Sequence, residues 1–169
     1  MNRIYKIGLV LLILVVLTGC DQATKSIART TLAAAAPISL LHDSVRFEYT
    51  ENPGAILGLG ADLPAAVRLW GFAGIVSVIL VLTFVLAIKG NVISLPQLVG
   101  LAFVAAGGLG NLLDRLYNNG AVVDFANLGI GPLRTGIFNL ADLAIVAGVI
   151  IILLSSLQDK PKPTPSEPS

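Results

Sequence analysis

Two aspartates in apolar surroundings are the residues of this 169-residue chain best suited to chemistry. If the last apolar run forms a helix, Asp142 lies about five residues inside it, roughly 8 Å along the axis. An ionisable side chain at membrane depth is a functional candidate by default. Asp124 sits in the patch Val122-Val123-Asp124-Phe125, where desolvation is expected to raise its pKa. Brought together, two such carboxylates share one proton and serve as acid and base toward water, the chemistry of aspartic proteases.

Each aspartate also has a simpler explanation. Asp142 near the start of a predicted helix is equally suited to capping it, because the helix dipole favours an anion there. Asn139 lies three residues earlier, so it shares a helix face with Asp142, and that face is expected to point into the bundle. Ser77 and Ser94 have no neighbouring His or Lys that would make them nucleophiles. Spacing alone does not bring Asp124 next to Asp142.

The elements that must position these residues are membrane helices. Hydrophobic residues make up 55% of the chain and charged residues only 12%, about half the share of a typical soluble domain. A bilayer leaves backbone amides no water to bind, so apolar runs of about 20 residues favour helices. The predicted fold class is therefore an all-α membrane protein with four transmembrane helices, at about residues 4–20, 69–88, 95–113 and 137–157.

The segments between the spans suggest a small β-rich outer subdomain. Within about residues 37–60, Val45, Phe47 and Tyr49 alternate with polar residues, which indicates a half-exposed strand before an Asn-Pro-Gly turn. Residues 114–136 contain two turn signals and are predicted to form a loop. Residues 1–158 make one domain, and the Pro- and Ser-rich tail, residues 159–169, is predicted to be disordered. Basic residues before the first span favour cytoplasmic termini, which makes the two longer loops periplasmic.

Several function classes are disfavoured. A net charge of +1 gives no basic field for nucleic acid. The single histidine, His42, and the single cysteine, Cys20, offer neither a zinc cluster nor an intramolecular disulfide. The glycines at 107, 108 and 110 lack the lysine of a phosphate-binding loop, and with Ala102 and Ala106 they indicate close helix packing instead. No metal or cofactor is expected.

Five short blocks resemble the bacterial lipoprotein signal peptidases, a family of membrane aspartic proteases. The resemblance extends from the first predicted helix to the end of the fourth. Each block is weak alone, but all five occur in family order at outer span ends or in outer loops. The blocks are Asp21-Gln22-Ala23-Thr24-Lys25, Glu51-Asn52-Pro53-Gly54-Ala55, Gly107-Gly108-Leu109-Gly110-Asn111-Leu112-Leu113-Asp114-Arg115, Val122-Val123-Asp124-Phe125 and Phe138-Asn139-Leu140-Ala141-Asp142.

The resemblance implies specific roles. Asp124 and Asp142 would be the catalytic dyad. Arg115, a permanent cation with a fork of donors, suits backbone carbonyls or a lipid ester, although an ion pair with Asp114 or a headgroup is the alternative. Asp21 and Lys25, four residues apart, suit a local ion pair. The residues that would line or brace the substrate site are Asn52, Gly54, Asn111, Arg115 and Asn139, and those that would support it structurally are Asp21, Lys25 and Asp114.

The implied activity is removal of the signal peptide from a prolipoprotein bearing diacylglyceryl on its lipobox cysteine, with cleavage just before that cysteine. The protein would work as a monomer in contact with membrane lipids. Two rival functions stay open: a non-catalytic homologue that binds prolipoproteins, and a small proton-coupled transporter that uses Asp142 as a relay. Ile56-Leu57-Gly58 departs from the small residue and aromatic that often follow the Asn-Pro-Gly-Ala block, which bears on substrate preference.

The first apolar run ends in a motif of its own. Leu17-Thr18-Gly19-Cys20 is a lipobox, and Arg3 and Lys6 precede it as in a lipoprotein signal peptide. The chain could thus be a substrate of the family that it resembles. Coincidence is the favoured interpretation, because the family fold needs the first helix to stay attached to Asp21 and Lys25.

Overall fold

The computed structural model describes residues 2–54, 62–89 and 93–158. The predicted tail, Ile56-Leu57-Gly58 and the end of the predicted β-rich loop lie outside these residues. The elements in chain order are α1 (Arg3–Thr31), β1 (Ile38–Leu40), β2 (Val45–Asn52), α2 (Ala65–Lys89), α3 (Leu95–Tyr117), β3 (Val122–Ile130), β4 (Leu133–Arg134) and α4 (Leu140–Gln158).

Four helices within the described ranges are long and apolar enough to cross a membrane. Their outer faces carry exposed aliphatic side chains such as Leu12, Val78 and Leu153. In water these faces would be costly to leave uncovered, whereas lipid tails solvate them. Together with a small antiparallel sheet, these helices confirm the predicted fold class.

Helices α3 and α4 pack backbone to backbone. A Cβ added to Gly100 would lie 2.7 Å from the carbonyl oxygen of Gly148, so neither helix has room for a side chain at this crossing. Ala102 and Ala106 on α3 are fully buried. Small residues let membrane helices approach closely enough for dispersion contacts to hold them together. A Cβ added to Gly107 would overlap the carbonyl oxygen of Ala141 on α4, so the close packing predicted from the glycines at 107, 108 and 110 is confirmed at Gly107.

Helix α1 continues past the predicted end of the first span at Cys20. It runs to Thr31, and its 29 residues make a rod of about 44 Å, longer than the roughly 30 Å hydrocarbon layer. Helix α1 contacts β2 and β3 as well as the other helices. The Leu17–Cys20 motif therefore lies inside an unbroken helix, and residues 21–31, predicted as part of a connecting stretch, are helical.

The sheet has the antiparallel order β1-β2-β3-β4. The predicted strand region divides into β1 and β2, joined by a turn in which Leu41, His42 and Asp43 have positive φ. The prediction that residues 114–136 form a loop was wrong, because Val122–Ile130 forms β3. Strand β3 pairs with β2 in a register that sets Thr50 opposite Asp124. This pairing brings the end of β2 to the apolar patch around Asp124.

Candidate active site

Asp124 lies on β3 with its side chain 3% exposed. Strand pairing positions it, because Thr50 of β2 lies opposite Asp124 and Asn52 follows two residues later, opposite Val122. Asn52 Nδ2 donates to Oδ2 of Asp124 at 3.0 Å. Asn139 Nδ2 donates to Oδ1 at 2.7 Å. Each carboxylate oxygen therefore accepts a hydrogen bond from an amide, although the group is shielded from solvent.

Asp142 lies in the first turn of α4, which begins at Leu140. The prediction that Asp142 lies about five residues inside a helix starting at Ile137 was wrong. Asn139 is the N-cap, so the helix begins at Leu140 and Asp142 is its third residue. Asp142 N donates to Asn139 Oδ1 at 2.9 Å, and Asn139 N donates to Asp142 Oδ2 at 3.1 Å. This exchange is the reciprocal pattern of a capping box. Asp142 does cap its helix, and its Oδ1 also accepts from Asn111 Nδ2 at 2.9 Å.

Asn139 links the two carboxylates. Its side-chain nitrogen donates to Asp124, while its side-chain oxygen and backbone nitrogen bond to Asp142. The same nitrogen also reaches Asn111 Oδ1 at 3.1 Å. Asn139 is only 1% exposed, so this arrangement is rigidly enclosed. The structure thus brings Asp124, Asp142, Asn111, Asn139 and Asn52 into one cluster.

The environment of Asp124 favours its neutral form. Burial raises the pKa of this carboxyl to about 6; the hydrogen bond from Asn52 opposes the shift and the negative charge of Asp142 adds to it. A carboxyl with a pKa in this range gains and loses a proton near neutrality, as a general acid or base must. The sequence-based expectation of a raised pKa agrees with this geometry.

Arg115 connects the turn after β2 to the helices. Its Nη2 donates to the carbonyl oxygen of Gly54 at 2.7 Å, and Nη1 donates to that of Asn111 at 3.1 Å. The guanidinium stacks on Phe72 of α2, 3.9 Å from the ring centroid. Within the described residues Arg115 forms no ion pair with Asp114, so that alternative is not the arrangement found. Arg115 instead holds the turn at Gly54, next to the Asn52 side chain that donates to Asp124.

Lys25 binds two buried carboxylates on the far side of Asn111 from Asp142. Its Nζ lies 2.8 Å from Asp21 Oδ2, which confirms the predicted ion pair, and 3.2 Å from Asp114 Oδ2. Asp21 also accepts from the backbone nitrogen of Ala141 at 2.9 Å, and Asp114 from that of Val123 at 2.8 Å. These three charged side chains, named here the Lys25 network, tie α1 and α3 to the strand and helix that carry the aspartates.

Two neighbours of the site were not predicted as site residues. Gln22 Nε2 donates to Asp114 Oδ1 at 3.0 Å and to the carbonyl oxygen of Gly110 at 3.1 Å. A polar residue one position after Asp21, at the end of an apolar run, was a signal that could have found it. Phe72 carried no such signal, because an aromatic residue in an apolar helix is equally suited to facing lipid.

No group of three or more His, Cys, Asp or Glu side chains in the described ranges is arranged to hold a metal ion. The single histidine, His42, is exposed in the β1–β2 turn. The cluster itself consists of two carboxyl groups and their amide donors, with the Arg115 guanidinium beside them.

Known proteins resemble this chain over most of its length. Residues 12–158 match the family model of signal peptidase (SPase) II. The lipoprotein signal peptidase of Staphylococcus haemolyticus is 31% identical over 160 residues, covering 94% of this chain and 97% of the relative. The lipoprotein signal peptidase of Pelotomaculum thermopropionicum is 36% identical over 156 residues, covering 92% and 96%.

Solved structures agree with the sequence comparison. A bacterial membrane enzyme structure at 2.3 Å resolution superposes with a TM-score of 0.78 at 31% identity and covers 96% of both chains. A second, at 1.9 Å, gives a TM-score of 0.74 at 31% identity, with 91% of this chain and 96% of that chain covered. With its four membrane-length helices, this protein is a multi-pass bacterial membrane protein. From the family match, the relatives and the shared fold, the chain belongs to the signal peptidase II family.

Proposed function

We propose that this protein is an aspartic endopeptidase with Asp124 and Asp142 as its catalytic dyad. It removes signal peptides from prolipoproteins that carry diacylglyceryl on the lipobox cysteine, and it cuts just before that cysteine. The observation that carries this proposal is the link through Asn139, which hydrogen-bonds to both carboxylates at once. The side-chain amide of Asn139 donates to the Asp124 carboxylate and its backbone N–H donates to the Asp142 carboxylate, so one buried residue fixes the two carboxylates relative to each other.

The reaction needs one protonated and one ionised carboxyl. The ionised member takes a proton from a water molecule, whose oxygen attacks the scissile carbonyl. The protonated member donates to the carbonyl oxygen as the tetrahedral intermediate forms. When the intermediate collapses, the C–N bond breaks and the nitrogen leaves as an amine with a proton from the dyad. A pKa of about 6 makes Asp124 suited to hold the shared proton.

The remaining site residues hold the substrate and the dyad. Arg115 and Asn52 fix the turn at Gly54, which forms one wall of the peptide site. Asn111 and Asn139 keep donors on the carboxylates. The acyl chains of the substrate lie between the helices, in contact with the bilayer. One bundle supplies every member of the cluster, which supports a monomeric enzyme.

The dyad lies at one end of the bundle, near the end of α3 and the start of α4. With both termini cytoplasmic, as Arg3 and Lys6 suggest, this end faces the periplasm. A diacylated prolipoprotein anchored in the outer leaflet would then present its cleavage site at the height of the aspartates.

A gel-shift assay on a purified diacylglyceryl-modified prolipoprotein tests the dyad. Asp124→Asn and Asp142→Asn should each lower the cleavage rate by about 10³-fold or more, because a dyad member cannot be replaced by a group that does not titrate. Asp43→Asn, in the exposed β1–β2 turn, is the matched control and should cleave normally.

Other outcomes would contradict the proposal. Cleavage retained by either active-site variant would refute the dyad. Substrate binding by the wild type with no cleavage would indicate the non-catalytic homologue. Proton flux into liposomes that depends on Asp142 but not on Asp124 would indicate the transporter. The unfolding temperature of each variant, followed by fluorescence of Trp70, separates lost chemistry from lost folding.

A further inference from the structure

The side-chain amide of Asn111 lies between Lys25 and the dyad. Lys25 Nζ donates to Asn111 Oδ1 at 2.9 Å, and Asn139 Nδ2 donates to the same oxygen at 3.1 Å. At the other end of the amide, Asn111 Nδ2 donates to Asp142 Oδ1 at 2.9 Å. The oxygen end therefore faces donors and the nitrogen end faces a carboxylate.

The ammonium group of Lys25 determines which way this amide points. An ammonium has three donors and no acceptor, so it cannot face the NH₂ end of an amide. If the Asn111 amide turned by 180°, its nitrogen would meet the ammonium and its oxygen would meet Asp142, and both contacts would become repulsive. Asn139 favours the same direction, but a neutral hydrogen bond is roughly half as strong as a charge-assisted one.

Lys25 is itself fixed in place. Its three donors have three acceptors: Asp21 Oδ2, Asp114 Oδ2 and Asn111 Oδ1. The side chain is 2% exposed, so water does not compete for these bonds. Asp21 and Asp114 are held in turn by backbone N–H groups of α4 and β3, the elements that carry the dyad. The backbone next to Asp142 and Asp124 therefore fixes the two carboxylates that hold the Lys25 ammonium in place.

We propose that Lys25 is a positioning residue for the dyad, which orients the Asn111 amide so that Asp142 keeps a hydrogen-bond donor on each carboxylate oxygen. This inference rests on the proposed function. It goes beyond charge compensation, in which Lys25 would only neutralise Asp21 and Asp114. The two roles are separable, because one acts through Asn111 and the other does not.

A double variant that keeps the native net charge of the network, together with a single-variant reference, separates them. The native Lys25 network has two carboxylates and one ammonium, a net charge of −1. The double variant Asp21→Asn with Lys25→Met keeps only the Asp114 carboxylate, again a net charge of −1. The reference is Asp21→Asn alone, which retains the ammonium that faces Asn111. The network of this reference has a net charge of 0 and lacks the same carboxylate, so the two variants differ only in the ammonium. Because the double variant has the same net charge as the wild type, a loss of activity in it relative to both proteins is not explained by net charge.

Cleavage kinetics on the diacylglyceryl-modified prolipoprotein give the readout. Relative to Asp21→Asn, the double variant should show kcat reduced about 10- to 100-fold, the effect of losing a hydrogen bond to a charged group. Its KM should stay within about twofold, because Lys25 lies on the far side of Asn111 from Asp142 and does not contact the substrate. Equal kcat values in the two proteins would overturn the inference. Should the Met variant not fold, Lys25→Gln in the same Asp21→Asn background gives the same comparison, because an amide donor and acceptor no longer force one direction on Asn111.

A double-mutant cycle with Asn111 tests whether Lys25 acts on Asp142 through the Asn111 amide. Once Asn111→Ala has removed the amide, adding Lys25→Met should lower kcat no further, because the group through which Lys25 acts is gone. The unfolding temperature should still fall, because Asp21 and Asp114 lose their cation in both backgrounds. Additive losses in kcat would overturn the route through Asn111.

The same assay distinguishes this inference from the proposed function. A wild-type protein that does not cleave the substrate overturns both. A wild type that cleaves, an Asp124→Asn variant that does not, and Lys25 variants that match Asp21→Asn overturn the positioning role alone.

Discussion

Two networks of aspartates and basic side chains hold this protein together, and they differ mainly in burial. In the Lys25 network the side chains of Asp21, Lys25 and Asp114 are between 1% and 3% exposed. This network contains two anions and one cation. It joins α1, α3, α4 and β3 through its contacts with backbone amides.

The second network lies on the sheet and reverses the charge ratio. Asp43 bonds to Arg46 and Arg134, whose guanidinium also donates to the Asp43 carbonyl at 2.7 Å. The Asp43 and Arg46 side chains are 42% and 39% exposed. Hydrogen bonds from Arg46 and Ser39 hold the pKa of Asp43 well below its usual range. This outer network ties the β1–β2 turn to β4.

The comparison shows how burial changes the contribution of an ion pair to stability. Exposed ion pairs contribute little, because water and salt compete with them. A buried pair is expensive to assemble, and removal of one partner leaves an uncompensated charge. Loss of one member of the outer network should therefore cost little stability. Loss of one member of the Lys25 network should cost much more, because the remaining charges stay buried. A buried network is therefore suited to holding β3 and α4, which carry Asp124 and Asp142, in one geometry.

The same substitution in both networks should give the largest contrast. Asp114→Ala leaves Lys25, the Val123 N–H and Gln22 without a shared acceptor, and we expect it to lower the free energy of unfolding by about 3–5 kcal/mol. Asp43→Ala should change the unfolding temperature little, and less at high salt. Thermal unfolding in detergent measures both. Equal losses would show that burial does not separate the networks.

The pH dependence of stability should differ next most. The pKa of Asp124 is about 6 when folded against an ordinary 3.8, so the folded state binds more protons. Its contribution is fully present below about pH 4 and is lost as pH rises through about 6, by up to roughly 3 kcal/mol. The unfolding temperature of the wild type should thus fall more steeply from pH 5 to pH 8 than that of Asp124→Asn.

Asp43 is the control for this titration. Because its pKa is lowered on folding, its contribution is present above its unfolded value and is lost only in acid. Asp43→Asn should therefore follow the wild type in parallel between pH 5 and pH 8. Parallel curves for the wild type and Asp124→Asn would instead show that burial does not perturb Asp124.

A smaller loss of stability should follow when the Lys25 network is crowded by an added methyl group. A Cβ on Gly110 would lie 2.6 Å from Asp21 Oδ2, so Gly110→Ala must push this carboxylate from Lys25. We expect a loss of about 1–3 kcal/mol, typical of overpacking, with slower cleavage. Gly74→Ala on α2 is the matched control, because its Cβ would meet nothing within 4 Å. Similar unfolding temperatures for the two variants would rule out crowding at Gly110.

The helices were predictable because lipid imposes a simple rule on composition. The end of α1 was not, because the apolar run and the helix stop for different reasons. Hydropathy falls after Cys20, but Gln22, Ala23, Lys25 and Ala28 are good helix formers, so the backbone continues. A span predicted from hydropathy ends where the apolar sequence ends, whereas the helix itself continues to Thr31.

The strand around Asp124 was missed because its partner is distant in sequence. Between turn signals, Val122–Ile130 looked like a loop, and only pairing with β2 makes it a strand. Asp142 was identified from its apolar surroundings, yet its depth was wrong because the capping exchange with Asn139 was not foreseen. The pairing of the two aspartates was implied by the family resemblance, since no local pattern encodes a shared asparagine.

The unbroken course of α1 also bears on the order in which this protein assembles. Peptide-bond attack at Gly19-Cys20 requires local unwinding, because a helical carbonyl is occupied by the N–H four residues on. Unwinding there would pull Asp21 away from Lys25 and from Ala141 of α4. A nascent copy whose first helix has inserted, but whose α4 has not, has Lys25 on the same helix but lacks the contact between Asp21 and Ala141. Docking of α4 therefore adds a contact that opposes unwinding of the first helix at this point.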